Sequence, residues 1–181
     1  MKWNEVKGTL GIMAWVLALM VFGGGAAFFY ANTLVEWWMP LAVALCAALL
    51  AWVLTLGWVG RRWPDAPGWW RFWAFFLPAV AFAGFAVLGA NYAGADDATL
   101  HEERVAVERK YSEKHYRSRR VGRGRYARGE AYYEYKVEVR FADGRGKSFE
   151  LPLSEYNRVR RGGTMTLRLE RGMLGWPVIK R

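Results

Sequence analysis

The residues best suited to chemistry are arginines that cluster in the C-terminal half of the chain. Six arginines and two flanking tyrosines stand close together: Arg117, Arg119, Arg120, Arg123, Arg125, Arg128, Tyr116 and Tyr126. Guanidinium groups pair well with phosphate and carboxylate, and phenol rings offer stacking surfaces. The pattern predicts a binding site for an anionic partner. The alternative is a solvated charged hairpin that keeps a sheet edge from pairing with other chains.

Other motifs that could hold a ligand are incomplete. Gly146-Lys147-Ser148 ends like a phosphate-binding loop, but the glycine that this motif requires earlier is replaced by Phe141. His101 and His115 are the only histidines, and neither lies in an H-E-x-x-H arrangement. The single cysteine, Cys46, lies in an apolar run and is typical of a packing residue. The sequence therefore predicts no catalytic residue, no cofactor and no metal site.

The first half of the chain consists of long apolar segments. Three of them contain no charged residue and are long enough to cross a bilayer as helices: 9–31, 37–60 and 72–95. Tryptophans lie near the segment ends, at Trp37, Trp38, Trp58, Trp63, Trp69, Trp70 and Trp73. Indole rings favour the headgroup layer, so these residues indicate an aromatic belt, with a tryptophan-lined groove as the alternative. The sequence predicts a three-helix transmembrane domain over residues 1–95.

The apolar segments also carry rows of small residues. These are Ala86, Ala90 and Gly94, then Ala44 and Ala48, and the run Gly23–Gly25. Small side chains let helix backbones approach closely in lipid, either within one chain or between copies in a homo-oligomer. Secondary transporters and proton relays need ionisable groups at depth, and the three segments contain none. This half is therefore interpreted as an anchor or an assembly surface.

The basic residues that flank the apolar segments predict the orientation. Lys2 and Lys7 precede the first segment, and Arg61, Arg62 and Arg71 lie between the second and third. The positive-inside rule then places the N-terminus in the cytoplasm and the C-terminal domain outside the inner membrane. The arginines of the C-terminal domain oppose this orientation, but whole domains count weakly in the rule.

Residues 96–181 form the second predicted domain, which carries most of the +10 net charge. Apolar and polar residues alternate in Arg104–Tyr111 and in Tyr133–Phe141, which indicates half-buried strands. Asp143-Gly144 predicts a hairpin turn, Ser154 a helix N-cap, and Thr164–Glu170 a further strand. The polar segment Arg117–Arg128 is expected to be a mobile hairpin loop or an extended edge. The fold class is thus α+β: three transmembrane helices and a small antiparallel β-sheet or partial barrel.

The last third of the chain carries a resemblance. Tyr156–Gly162, then Thr164–Leu169, then Arg171–Gly175 place a tyrosine-containing turn, a glycine, a strand and a glycine turn in succession. This order resembles the C-terminal β-domain of small uncharacterised bacterial multi-pass membrane proteins. The resemblance implies a protein of the bacterial envelope and implies no activity.

The first functional hypothesis is a non-enzymatic envelope protein whose β-domain binds a protein partner, which could be acidic, or an anionic surface that includes membrane lipids. One version is an immunity protein against an envelope-acting toxin. Nucleic acid becomes a candidate partner if the domain is cytoplasmic.

Two alternatives stay open. One is a subunit of an oligomeric channel or transporter. The other is an enzyme at the membrane surface, which would use Asp96–Glu103, although these acidic residues are equally typical of the first turn of a helix.

Overall fold

The computed structural model describes the backbone of residues 3–180 and the side chains of residues 11–180. Three long helices come first: α1 (Trp3–Ala31), α2 (Trp38–Arg62) and α3 (Gly68–Ala93). They are followed by β1 (Asp96–Gly122), β2 (Arg125–Arg140), β3 (Gly146–Glu150), α4 (Leu153–Arg158), β4 (Thr164–Arg171) and β5 (Pro177–Lys180). The strands form one five-stranded antiparallel sheet of order β3-β2-β1-β4-β5. The predicted α+β layout, three long apolar helices followed by a small antiparallel sheet, is confirmed.

The described chain divides into two compact units. The first comprises the residues up to Leu100 together with Leu169–Lys180, and the second comprises His101–Arg168. The first unit contains three helices that are long and apolar enough to span a membrane, over Gly11–Ala31, Trp38–Arg62 and Gly68–Ala93. These helices are typical of a membrane protein. Lys2 and the side chain of Lys7, which support the predicted orientation, lie outside the described residues.

Small residues bring the three helices together. Ala44 and Ala48 of α2 are almost fully buried, and a side chain on Gly25 would collide with the ring of Phe85. Close packing in lipid depends on such positions, because apolar surface alone gives no driving force between helices there. In the row of small residues on α3, Ala86 and Ala90 are exposed. Homo-oligomerisation through this row therefore stays a prediction.

The tryptophans of the helical unit have two kinds of surroundings. Trp63 and Trp70 pack edge to face with their ring centroids 6.0 Å apart. Together with Trp15 and Trp73 they line an apolar cavity of about 570 Å³. Trp63, Trp70 and Trp73 are nevertheless partly exposed, so for this cluster the groove and the belt both stay predictions. A second group of tryptophans has largely exposed side chains, and for these the aromatic belt stays a prediction: Trp37, Trp38, Trp58 and Trp69.

Asn91 fastens the β4–β5 turn within the first unit. Its backbone carbonyl accepts a hydrogen bond from the N–H of Met173 at 3.3 Å. Its side-chain Oδ1 accepts one from Leu174 N at 3.0 Å, and its Nδ2 donates to the carbonyl of Trp176 at 3.1 Å. Asn91 is fully buried. Buried polar groups need hydrogen-bond partners, and the side-chain amide of Asn91 finds them in the β4–β5 turn.

The second unit confirms the register that was predicted for the strand Tyr133–Phe141, which is the end of β2. Val137, Val139 and Phe141 are buried, whereas Glu138 lies on the opposite, partly exposed face. The hairpin at Asp143-Gly144 is also confirmed, and Gly144 has a φ of 84°. This is a left-handed conformation that favours glycine.

The segment Arg117–Arg128 takes the second of its two predicted forms, an extended edge, since it continues strands β1 and β2 up to a tight turn. Two local expectations are corrected. The acidic stretch Asp96–Glu103 belongs to β1 and starts no helix. Ser154 is not an N-cap, since α4 begins at Leu153 after Pro152 and no side chain caps it.

Candidate functional site

The predicted arginine and tyrosine residues lie on a two-stranded ribbon, which we define as Glu113–Glu134. Within it, the tip is Tyr116–Arg128. β3 pairs with β2 only over Lys136–Arg140, so the ribbon lies beyond the three-stranded part of this unit. From Glu113 to Gly122 the ribbon is about 30 Å long at the usual rise of a strand. It carries six arginines, one lysine and three glutamates, and all three glutamates lie outside the tip.

Strand pairing sets which side chains share a face of the tip. Ser118 pairs with Arg128, Arg119 with Ala127, and Arg120 with Tyr126. Since side chains alternate along a strand, one face holds Arg120, Arg128, Tyr116 and Tyr126 and the other holds Arg117, Arg119 and Arg125. Arg123 lies in the turn next to Gly124, which has a φ of 75°. The structure therefore brings all eight predicted residues to one tip, distributed over its two faces.

A register irregularity between Tyr116 and Ser118 depends on Gly129. The extra residue of this β-bulge lies on β2. A Cβ atom at position 129 would lie 2.7 Å from the carbonyl oxygen of Arg117. Glycine is the residue type that permits such a close backbone approach.

Within the described part of the chain, the arginines of the tip have no acidic partners. All six are exposed, and none forms an ion pair with a carboxylate among residues 11–180. Arg128 lies over the ring of Tyr116, 4.2 Å from its centroid, and Arg120 Nε donates to the carbonyl of Gly122 at 3.3 Å. These contacts orient two guanidinium groups without neutralising them, so the tip keeps a charge of about +6 for a partner.

A groove follows the tip where the bulge lies. It has a volume of about 630 Å³ and is lined by Arg117, Ser118, Arg119, Arg120, Arg128, Gly129 and Glu130. The lining combines several guanidinium donors with one carboxylate, and its size is within the range of small-ligand sites. The groove is thus suited to phosphate or carboxylate groups.

An isolated two-stranded hairpin is only marginally stable in water. Near the sheet, the two strands of the ribbon are therefore supported by cross-strand side-chain contacts. On one face, Lys114 Nζ lies 5.4 Å from the ring centroid of Tyr116 and 5.8 Å from that of Tyr133. On the other face, His115 stacks on Tyr132 with a centroid distance of 5.5 Å. Cation–π and stacked pairs of this kind stabilise neighbouring strands.

A titratable cluster lies at the base of the ribbon. Glu113 of β1 is directly opposite Glu134 of β2, a pairing of like charges that is destabilising by itself. The Lys136 ammonium compensates, since its Nζ lies 2.6 Å from Glu113 Oε2 and 3.2 Å from Glu134 Oε2. Its hydrogen bond lowers the pKa of Glu113, and the two carboxylates raise the pKa of Lys136.

His115 completes this cluster. Its Nε2 lies 3.5 Å from Glu113 Oε2 and 3.4 Å from Glu134 Oε2. The same atom is shielded from solvent and makes no hydrogen bond within the described residues. Glu113, His115 and Glu134 form a group that could hold a metal ion. Sequence reasoning missed it because Glu134 is far along the chain. The sequence signal for this cluster is a Glu-x-His pattern at Glu113 and His115 and a Glu-x-Lys pattern at Glu134 and Lys136, on the two strands of one hairpin.

The lysine of the incomplete phosphate-loop motif has a structural position. Lys147 belongs to β3 and pairs with Val139 on the buried face of the sheet. Burial lowers the pKa of Lys147 to about 8. The segment begins strand β3 and no helix follows it directly, whereas a phosphate-binding loop leads into a helix.

Comparison with known proteins adds no relative. No family model, no curated protein and no solved structure matches this chain.

Proposed function

We propose that this chain is a non-enzymatic protein of the bacterial inner membrane whose β-domain binds an anionic partner through the tip of its ribbon. The observation that supports the proposal most directly is the set of six exposed arginines without acidic partners among the described residues. The planar guanidinium group is weakly hydrated for a cation and can bind phosphate or carboxylate through two parallel hydrogen bonds. Because both faces of the tip carry arginines, the proposed partner contacts the ribbon from more than one side.

The proposed orientation has the N-terminus in the cytoplasm and the β-domain outside. Its support is the charge of Arg61 and Arg62, which form the last turn of α2, and of Arg71 at the start of α3. Basic residues favour the cytoplasmic ends of membrane helices. In this location the anionic partner is the headgroup layer of the membrane or an acidic envelope protein. An immunity protein against an envelope-acting toxin is one form of the second case.

Replacement of tip arginines tests the proposal. In the variant R119Q/R120Q/R123Q/R125Q, each lost cation near an anionic surface removes roughly 1 kcal/mol, or roughly 4 kcal/mol in total. This corresponds to about a thousandfold loss of affinity. The fold should persist, because the four side chains are exposed. The full chain is embedded in nanodiscs of neutral lipid, and its binding to vesicles containing phosphatidylglycerol is measured by cosedimentation.

A matched control changes the same number of charges elsewhere in the unit. The variant R158Q/R160Q/R161Q/R168Q removes four exposed arginines and should retain binding. Wild-type binding should weaken with added salt, since exposed charges are screened over about 10 Å at 0.1 M ionic strength. An equal loss of binding in both variants would mean that affinity depends on net charge alone, which contradicts a site at the tip. Unchanged binding of the tip variant to vesicles and to crosslinked membrane proteins overturns the proposal.

A further inference from the structure

The base of the ribbon holds a set of ligand atoms with the geometry of a metal site. His115 Nε2 and one carboxylate oxygen each from Glu113 and Glu134 all lie within 4.8 Å of one another. Glu113 and His115 alternate on β1 and so share a face, and Glu134 lies directly opposite Glu113 on β2. Two neighbouring strands, rather than a flexible loop, therefore fix the three donor atoms.

Two of the three separations between the donor atoms match tetrahedral zinc. Zinc binds histidine nitrogen and carboxylate oxygen at about 2.0–2.2 Å, so two such ligands of a tetrahedral ion lie roughly 3.4 Å apart. The distances from His115 Nε2 to Glu113 Oε2 and to Glu134 Oε2 are 3.5 and 3.4 Å. Two edges of the tetrahedron are thus already formed. Three protein ligands leave the fourth position to water.

His115 Nε2 is shielded from solvent, and among the described residues it makes no hydrogen bond of good geometry. Its nearest polar atoms are the two carboxylate oxygens at 3.5 and 3.4 Å, so this atom faces the carboxylates without a short hydrogen bond to either. In a neutral imidazole, an unprotonated Nε2 offers a lone pair, and this lone pair is what a metal ion uses. The stacked Tyr132 ring holds the imidazole plane beside the two carboxylates.

A cation already lies between the carboxylates. The Lys136 ammonium contacts the same two oxygen atoms that approach His115, at 2.6 and 3.2 Å. Lysine is a flexible point charge on a long stem, so it can leave this position without a change of the strands. These contacts show that a cation fits between the two carboxylates.

We propose that Glu113, His115 and Glu134 form a zinc site, in which the Lys136 ammonium occupies the place of the ion when no metal is bound. Zinc suits the ligand set, since imidazole and carboxylate are among its ordinary ligands and it accepts a small coordination number. A bound ion joins β1 to β2 directly below the tip.

The test uses zinc alone and the full chain in detergent micelles after treatment with EDTA and dialysis. Isothermal titration should give one zinc per chain for the wild type. His115→Gln and Glu134→Gln should each weaken binding at least tenfold because each removes a ligand. Lys136→Met should tighten binding at least tenfold because the competing ammonium is gone. The control His101→Gln, which changes the other histidine, should leave the affinity unchanged.

The behaviour of Lys136→Met separates the proposal from a structural network of ion pairs. If the lysine only neutralises the two glutamates, its removal destabilises the ribbon and gains no metal affinity, and this result overturns the proposal. Zinc binding by Lys136→Met without binding by the wild type also overturns it, as does wild-type binding that His115→Gln leaves unchanged. Cobalt substitution gives a second readout on the wild type alone. The visible absorption of tetrahedral Co²⁺ supports the site, and a purely octahedral spectrum contradicts it.

Discussion

Replacement of Asn91 by alanine should destabilise the helical unit strongly, although the residue is uncharged and lies in an otherwise apolar helix. Its side chain makes hydrogen bonds of 3.0 Å to Leu174 N and 3.1 Å to the carbonyl of Trp176. The alanine variant leaves both backbone groups without their partner. Each orphaned group costs about 1–3 kcal/mol when buried. Since Leu174 is exposed and Trp176 only half-buried, water compensates in part, and we expect a loss of about 2–4 kcal/mol.

The neighbouring glycine provides an internal check on this reasoning. A Cβ atom on Gly172 would lie 2.4 Å from Asn91 Nδ2 and from Oδ1. Gly172→Ala should therefore also destabilise the unit, because the two side chains cannot occupy the same space. In the double variant, the shortened side chain at position 91 makes room for the new methyl group. The combined loss should be smaller than the sum of the single losses by about 0.5–3 kcal/mol, the usual coupling of residues in contact.

The assay is denaturant unfolding in detergent micelles, followed by tryptophan fluorescence. Asn32→Ala is the matched control, because the Asn32 side chain is only half-buried and makes one local, solvent-exposed hydrogen bond, to the carbonyl of Phe28 at 2.8 Å. Its effect should stay within about 1 kcal/mol, the usual net contribution of one hydrogen bond. Equal losses for Asn91→Ala and Asn32→Ala, or strict additivity of Asn91→Ala and Gly172→Ala, would refute the role assigned to Asn91.

Two further substitutions test the second unit, both through the free energy of unfolding. Val137→Asp places a charge at a fully buried position and should cost several kcal/mol, on the order of 3 or more. Glu138→Lys on the opposite face loses only an ion pair of 3.6 Å to Arg109 and should cost at most about 1 kcal/mol; equal costs would contradict the register. The pKa of Lys147 is lowered from 10.5 to about 8, so the unfolded state binds more protons between these values and stability should rise with pH from 8 to 10.5. Lys147→Met should abolish this rise and stabilise the protein at pH 7 by about 1–2 kcal/mol, a value reduced for partial solvent exposure; a pH profile identical to the wild type would refute it.

Burial explains which parts of the fold were predictable from the sequence. The alternation of Tyr133–Phe141 gave the correct register because Val137 and Val139 lie in the sheet core. The helices were predictable because uncharged runs of that length have few other structures. The ends of the helices were less predictable. α3 starts at Gly68 and includes Arg71, because a charged residue in the first turn of a helix is tolerated when its side chain can reach solvent.

The ribbon was predictable in composition but not in conformation. The tip has no buried face, so periodicity gives no signal for a strand there. Its strands are held by contacts between polar and aromatic residues, such as Lys114 with Tyr116 and Tyr133. The cluster of Glu113, His115 and Glu134 depends on the pairing of Glu113 with Glu134. Only a known hairpin register brings such residues together, because their separation along the chain carries no information on contact.

The most direct measurement of the proposed membrane anchor and its orientation is cysteine accessibility in spheroplasts. In a Cys46→Ser background, one cysteine is placed at the exposed Ser148 of the β-domain and another at the exposed Asp65 between α2 and α3. We expect the Ser148→Cys variant to react with a membrane-impermeant maleimide in intact spheroplasts, and the Asp65→Cys variant to react only after lysis. Reaction of Asp65→Cys alone in intact spheroplasts would contradict the orientation and place the arginine-rich tip in the cytoplasm. Reaction of both variants without lysis would contradict a membrane barrier between the two positions.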